Sequence, residues 1–263
     1  MSSFPELKRS RARRFPALAV LAMSLALVNC GDDPEETPPD SDGRGEPQCA
    51  PATVRCSEES IDGLDLLTTV STGAIREDGT TAGEFHTYVD ARGGGNPPTQ
   101  SYAYARFTAQ GLAAVPVDDQ AALASMDWDI AFRRYIIRVN SGVSGPSCTL
   151  VAQTPAGTAF EAVTAVDPSW AFTSESYYTE TCESVSHGEG LGPAVALGSF
   201  WRYEACLAMT GNVFVVRLAD GRDVKLEVTH YYDPEPQQVC NETGSAPAPN
   251  GAAQFRVRWA FLP

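Results

Sequence analysis

Asp127-Trp128-Asp129-Ile130-Ala131-Phe132-Arg133-Arg134-Tyr135-Ile136-Ile137-Arg138-Val139-Asn140-Ser141-Gly142-Val143-Ser144-Gly145 decides the fold. Trp128, Ile130 and Phe132 fall on one parity, the period-two pattern of a strand with a buried face. Tyr135, Ile137 and Val139 continue the apolar series on the opposite parity. Such a pattern changes phase only where a residue is inserted or the buried face switches. The reading predicts a long strand over 128–140, with a bulge near Arg133-Arg134 and a glycine-rich closing turn, Asn140–Gly145.

Further strands are predicted over 85–91, 102–108, 149–153, 199–206, 213–218, 224–232 and 254–261, punctuated by Gly and Pro clusters. In the last of these Phe255, Val257, Trp259 and Phe261 share one face, and Arg256 and Arg258 the other. One short helix is expected, from Asp118 to Ser125. The predicted class is all-β, a single domain of antiparallel sheets with extended loops, and no repeat of fixed period is present.

The opening stretch resembles the signature of the HmuY family, haem-binding lipoproteins of bacterial outer membranes. That signature runs Trp-Asp-(Ile/Leu)-Ala-Phe-x-Arg-Tyr, then an aliphatic residue, Arg, one residue and Asn-Gly-Gly. Ser141 stands here where the family has its first Gly. Tyr88-Val89-Asp90-Ala91 with Tyr102–Phe107 looks like the family's early hairpin. Phe200–Tyr203, Val213–Leu226 and His230-Tyr231-Tyr232 look like its late meander. The segment from Cys148 to Ala196 carries no motif of its own. The resemblance implies a fist-shaped β fold in which two finger-like loops clasp haem, with paired histidines as ligands in some members and paired methionines in others. It also implies an outer-membrane receptor as partner. It assigns no ligand to a particular residue of this chain.

The N-terminus reads as a secretion signal over 1–29: basic Lys8, Arg9, Arg11, Arg13 and Arg14, then a short apolar core from Pro16 to Val28. Arg13-Arg14-Phe15 hints at twin-arginine export, but the rest of that motif is missing and the general route fits better. Leu27-Val28-Asn29-Cys30 reads as a lipobox, making Cys30 the lipidated first residue and the lipid the link to the membrane. Residues 30–48, rich in Asp, Glu, Pro and Gly, read as a flexible acidic tether, and 49–263 as the folded domain. Removing 1–29 takes away five basic residues and one acid from the 19 and 33 of the whole chain, leaving 14 against 32, a charge of −18. Nucleic acid is excluded as a partner by that balance.

Six cysteines remain after Cys30: Cys49, Cys56, Cys148, Cys182, Cys206 and Cys240. An even count in an exported chain reads as disulfides, and no paired Cys-x-x-Cys spacing supports a metal site. Asp220-Gly221 reads as a type I′ hairpin turn pairing Ala219 with Arg222. Counting outward places Cys206 opposite Glu235, with Cys240 just beyond. Cys206–Cys240 is therefore the first expected pair, with Cys49–Cys56 next and Cys148–Cys182 by exclusion.

Haem capture needs axial ligands from His, Met, Cys or Tyr, and a slot that shields apolar faces. His187, in the loop Ser184-Val185-Ser186-His187-Gly188-Glu189-Gly190-Leu191-Gly192, is one candidate, or a solvated loop histidine. His230, on the face of Val224, Leu226 and Val228, is a second, or a hydrogen-bonded core histidine. Met209, read as part of a turn, and Met126 are sulfur candidates, or packing filler. His86 reads as a surface residue. Arg133, Arg134 and Arg138 read as propionate partners or as surface charge on a sheet. No nucleophile elbow, His-Glu-x-x-His or phosphate-cradling loop is present, so a binding protein is expected rather than an enzyme. The leading expectation is a surface lipoprotein that captures haem or a related tetrapyrrole. The alternative is an envelope structural or interaction lipoprotein that keeps the fold without haem. If the lipobox reading is right, fatty-acid labelling of the expressed protein is lost in Cys30→Ala; equal labelling of both forms rejects it.

Overall fold

The computed structural model describes residues 43–81, 83–188 and 190–263; Cys30 and the signal segment lie outside the described residues. Helix α1 (Ser57–Gly63) precedes β1 (Ile75–Thr81), β2 (Glu84–Asp90), β3 (Ala103–Thr108) and β4 (Gly111–Val115). The short helix α2 (Asp119–Ala122) leads to β5 (Ile130–Arg133), β6 (Ile136–Val139) and β7 (Leu150–Gln153). β8 (Trp201–Tyr203), β9 (Leu207–Met209), β10 (Val213–Arg217) and β11 (Asp223–His230) follow, then α3 (Pro234–Thr243) and β12 (Gln254–Phe261). The strands form a six-stranded sheet ordered β1-β2-β12-β11-β10-β7, a four-stranded sheet β4-β3-β5-β6, and the hairpin β8-β9. Every pairing between these strands is antiparallel. The all-β reading holds.

The change of phase in the signature stretch is a hairpin, not a bulge within one strand. Arg133 pairs with Ile136, leaving Arg134 and Tyr135 as the turn, with Arg134 at φ +52. Cross-strand partners share a face. Trp128, ahead of β5, packs on the opposite face, but Phe132 opposite Ile137 and Ile130 opposite Val139 keep the rest of the two apolar series on one side, and that is why the parity flips.

That side meets the six-stranded sheet. Phe132 packs on Phe255 at 5.6 Å between ring centroids, and Phe107 on Trp259 at 4.9 Å. The opposite face of β3 and β5 is buried too, under α1 and α2, where Tyr102, Tyr104, Trp128 and Ala131 cluster with Leu66 and Ala122. A sheet covered on both faces must satisfy every polar group it buries. The Asp119 carboxylate accepts from Leu67 N at 2.9 Å, Tyr102 N at 2.8 Å, Tyr104 Oη at 2.8 Å and Arg133 Nη1 at 2.9 Å. Arg138 donates to Tyr104 Oη at 2.8 Å and lies over the Tyr102 ring at 4.1 Å. Asn140 closes the signature: its amide donates to Ser125 O and Trp128 O and its carbonyl accepts from Ser147 N. A Cβ on Gly145 would fall 2.1 Å from that carbonyl oxygen, so only glycine fits there.

Several expectations need correction. Residues 43–48, assigned to the tether by composition, lie on the domain: Arg44 reaches Asp129 at 3.5 Å, and Gln48 N donates to Ala219 O. The β10-β11 turn is a three-residue loop, because Leu218 rather than Ala219 bonds to Arg222, with Gly221 at φ +85. The strand expected over 224–232 ends at His230, and Cys240 lies on α3, whose Pro234 start and Gly244 cap the strand reading overlooked. Cys206–Cys240 is nonetheless a disulfide, formed because α3 docks on β9. Buried Gln237 fastens that contact, accepting from Tyr231 N and Tyr232 N and donating to Leu207 O. The other two expected pairs are wrong: the bridges are Cys49–Cys148 and Cys56–Cys182. Residues 49–56 run past the signature turn, where Ala52 N donates to Pro146 O, so each of their cysteines meets a distant partner.

A bridge across 126 residues constrains the unfolded chain strongly. The double substitution Cys56→Ser, Cys182→Ser is expected to lower unfolding free energy by about 3–5 kcal/mol in denaturant titration. Non-reducing peptide maps should recover Cys49 joined to Cys148; a Cys49–Cys56 peptide contradicts the topology.

Candidate functional site

The segment that carried no motif builds the most distinctive surface feature. After Cys182 the chain makes a narrow excursion: Val185 N donates to Tyr177 O, Ala194 N to Val185 O and His187 N to Gly192 O. Its root is pinned on one side by Cys56–Cys182. On the other side the buried Glu175 carboxylate accepts from Ala196 N at 2.9 Å and from Val139 N at 3.0 Å. A single side chain thus ties this loop to the signature strand β6. Val185 and Leu191 are each 38 % exposed, large aliphatics left in water.

His187 is half-buried within this loop. Its imidazole lies against the Trp201 indole, 5.0 Å between centroids and tilted by 30°. Trp201, itself buried, also meets Tyr135 edge-on at 5.9 Å. Met209 is the cross-strand partner of Trp201, so two of the sequence candidates neighbour the same residue. Met209 lies in a strand and not in a turn, however; its side chain packs on the main core and its amide donates to Asn241 Oδ1. His230 stands apart at the end of β11, with Nδ1 2.9 Å from Thr229 Oγ1. It lines a groove of about 580 Å³ with Pro234, Gln238 and Asn241. Burial, helped by Arg256, pushes its pKa below the usual histidine value. His86 is exposed and contacts Glu84 at 3.0 Å. Met126 is half-buried beside α2.

The arginines do not sit as expected. Arg133 and Arg138 are buried, spent on Asp119, Tyr102 and Tyr104, so neither is surface charge nor open to a propionate. Arg134, at the hairpin turn, is half-buried. The strand pattern could not separate them, because β5 and β6 bury a second face, on which Arg133 and Arg138 find partners among apolar neighbours. Among the described residues, one cluster of three metal-type side chains exists, Cys56, Glu59 and Cys182, and its sulfurs are joined as a disulfide. Two buried carboxylates are strongly perturbed. Burial raises Glu175 to about 7, against its two amide bonds and distant Arg138. Burial likewise raises Asp129 to about 6, against Arg44.

The chain is an antiparallel all-β domain with long, cross-linked loops, and sequence comparison specifies its family. The family model described as HmuY protein matches residues 99–243, just over half of the chain, and the chain belongs to that family. The match runs through the motif-free segment and includes β3 to α3; the Tyr88–Ala91 block lies outside it. Among solved structures, a Bacteroides vulgatus protein described as HmuY-like and heme-binding is 16% identical. It has a TM-score of 0.44, over 71% of this chain and 96% of that one. A Bacteroides fragilis protein described as a lipoprotein is 12% identical, with a TM-score of 0.43 over 70% and 92%. The apo HmuY analogue of Tannerella forsythia is 16% identical, with a TM-score of 0.39 over 74% and 98%. No curated protein matches.

Glu175 yields a pH prediction. Its folded pKa of about 7 lies above the ordinary 4.5, so the folded state holds the proton more tightly than the unfolded one. Its contribution to stability is full below the unfolded value and is lost as pH rises through about 7, on the order of 3 kcal/mol. The stability difference between wild type and Glu175→Gln, measured by denaturant titration, should shift against wild type between pH 5 and 8. A pH-independent difference contradicts this.

Proposed function

We propose that this protein captures haem or a related tetrapyrrole at the outer membrane or cell surface, held there through lipidated Cys30, and that His187 supplies an axial ligand. One observation carries the reading: in a chain of the HmuY family, an imidazole sits on a pinned loop beside exposed Val185 and Leu191. Haem needs a nitrogen or sulfur donor and apolar cover for its flat faces. Val185 and Leu191 are the apolar cover this loop offers, and Met209 and His230 are the next donors to consider. The descriptions of the Bacteroides relatives, heme-binding for one and lipoprotein for the other, agree with it. In this reading the chain is a binding protein and not an enzyme, and an outer-membrane receptor would take the ligand onward.

Titrating the mature protein with haem should give a sharp, saturable Soret band at one equivalent. His187→Ala should move the band, and His187→Ala with Met209→Ala should remove the axial signature. A broad spectrum of adsorbed haem alone rejects haem capture. Normal binding unaffected by either variant rejects His187 and Met209 and makes His230 the next residue to replace.

A further inference from the structure

His187 is docked in a notch. One face of its ring lies against Trp201. The edge carrying Cδ2 and Nε2 faces Gly198: a Cβ built on that glycine would stand 2.7 Å from Cδ2 and 3.2 Å from Nε2. Gly198 is itself buried, in the turn that leads into Phe200 and β8. Val195 also flanks it, with Cγ2 at 3.7 Å from the same point. The imidazole therefore fills a space that exists only because residue 198 has no side chain.

We infer that this notch is a latch: in the unliganded protein it holds the His187 imidazole with Nε2 turned against the backbone, in competition with ligation. The inference rests on His187 being a haem ligand. An imidazole coordinates iron through a ring nitrogen lone pair. The nitrogen whose edge is packed against Gly198 must leave the notch to do so. Leaving breaks the contact with Trp201, and an aromatic contact of this kind is a small but real opposing term. Apparent affinity is then reduced by the fraction of molecules in the latched state. The loop has room at its tip for such a movement. Its root is fixed by Cys56–Cys182 and by Glu175, while Gly188 and Gly190 have open space around them and Gly190 has φ +71.

Gly198→Ala tests the latch with little risk to the fold. Gly198 is not among the residues with positive φ, and the atom in the way is the end of a flexible side chain. Ring current from Trp201 should shift the His187 ring-proton NMR signals of the apo protein, assigned by their absence in His187→Ala, and Gly198→Ala should return them toward free-histidine positions. Haem should then bind Gly198→Ala more tightly than wild type, by about 2- to 10-fold, the range one such aromatic contact supports. Unchanged His187 signals, or equal or weaker haem binding in Gly198→Ala, overturns the latch. A His187→Ala variant with unaltered haem spectrum and affinity fails the ligand assignment itself, a result separable from failure of the latch because the apo NMR shifts do not depend on haem.

Discussion

Four donors converge on the buried carboxylate of Asp119, and the rest of the domain is arranged around satisfying it. They come from Leu67 after α1, from the Tyr102 amide just before β3 and the Tyr104 hydroxyl within it, and from Arg133 at the end of β5. A charge taken out of water is tolerated only when paired and fully hydrogen-bonded. Losing any donor leaves that charge short of partners, so α1, α2 and the four-stranded sheet are held in one register. Arg138 extends the same network from β6 through Tyr104, and Ser144, within hydrogen-bond reach of Arg138, carries it on to Tyr177 at 2.9 Å. Within the signature, Asp129, Arg133 and Arg138 are therefore internal fasteners, Ile130, Phe132, Ile137 and Val139 face the main core, and Trp128 and Ala131 pack on the opposite face.

That network explains how a rigid scaffold supports an adaptable loop. Tyr177 and Glu175 belong to the segment entering the His187 loop, and both are buried against the signature turn. The loop is bonded through Val185 N to Tyr177 O, Ala194 N to Val185 O and His187 N to Gly192 O, and its root is pinned at Ala196 on one side and Cys182 on the other. Between them lie glycines and exposed aliphatics, the composition of a segment whose contacts can be exchanged for those of a ligand. Loop mobility costs ordering entropy on binding, and pinning both roots limits that cost to the tip.

The strand pattern was legible wherever a strand had one apolar face. The last strand was read with its bounds as observed, 254–261, because Phe255, Val257 and Trp259 alternate with polar residues. The hairpin at Arg134-Tyr135 was misread as a bulge, since both produce the same change of parity and no Gly or Asn marks the turn. Helix α3 carried its own signals, Pro234 at the start and Gly244 past the end. They were masked by the apolar Tyr231-Tyr232 pair that extends the preceding strand. At the candidate site the sequence marked His187 and Met209 but not Trp201, Gly198 or Glu175, whose roles come from contacts between separate elements of the fold.

Alternating apolar residues, an even set of cysteines and one signature were enough to determine the all-β class, the disulfide cross-linking and the family. Short-range regularities encode these, and they survive in a linear string. The pairing of Cys49 and Cys56 with distant partners, the burial of Arg133 and Arg138, and the seat of His187 against Trp201 were decided only by the tertiary structure. Each depends on which of many possible faces a residue meets across about a dozen residues or more. That choice is made by packing both sheets and every buried polar group at once, and no local pattern records it.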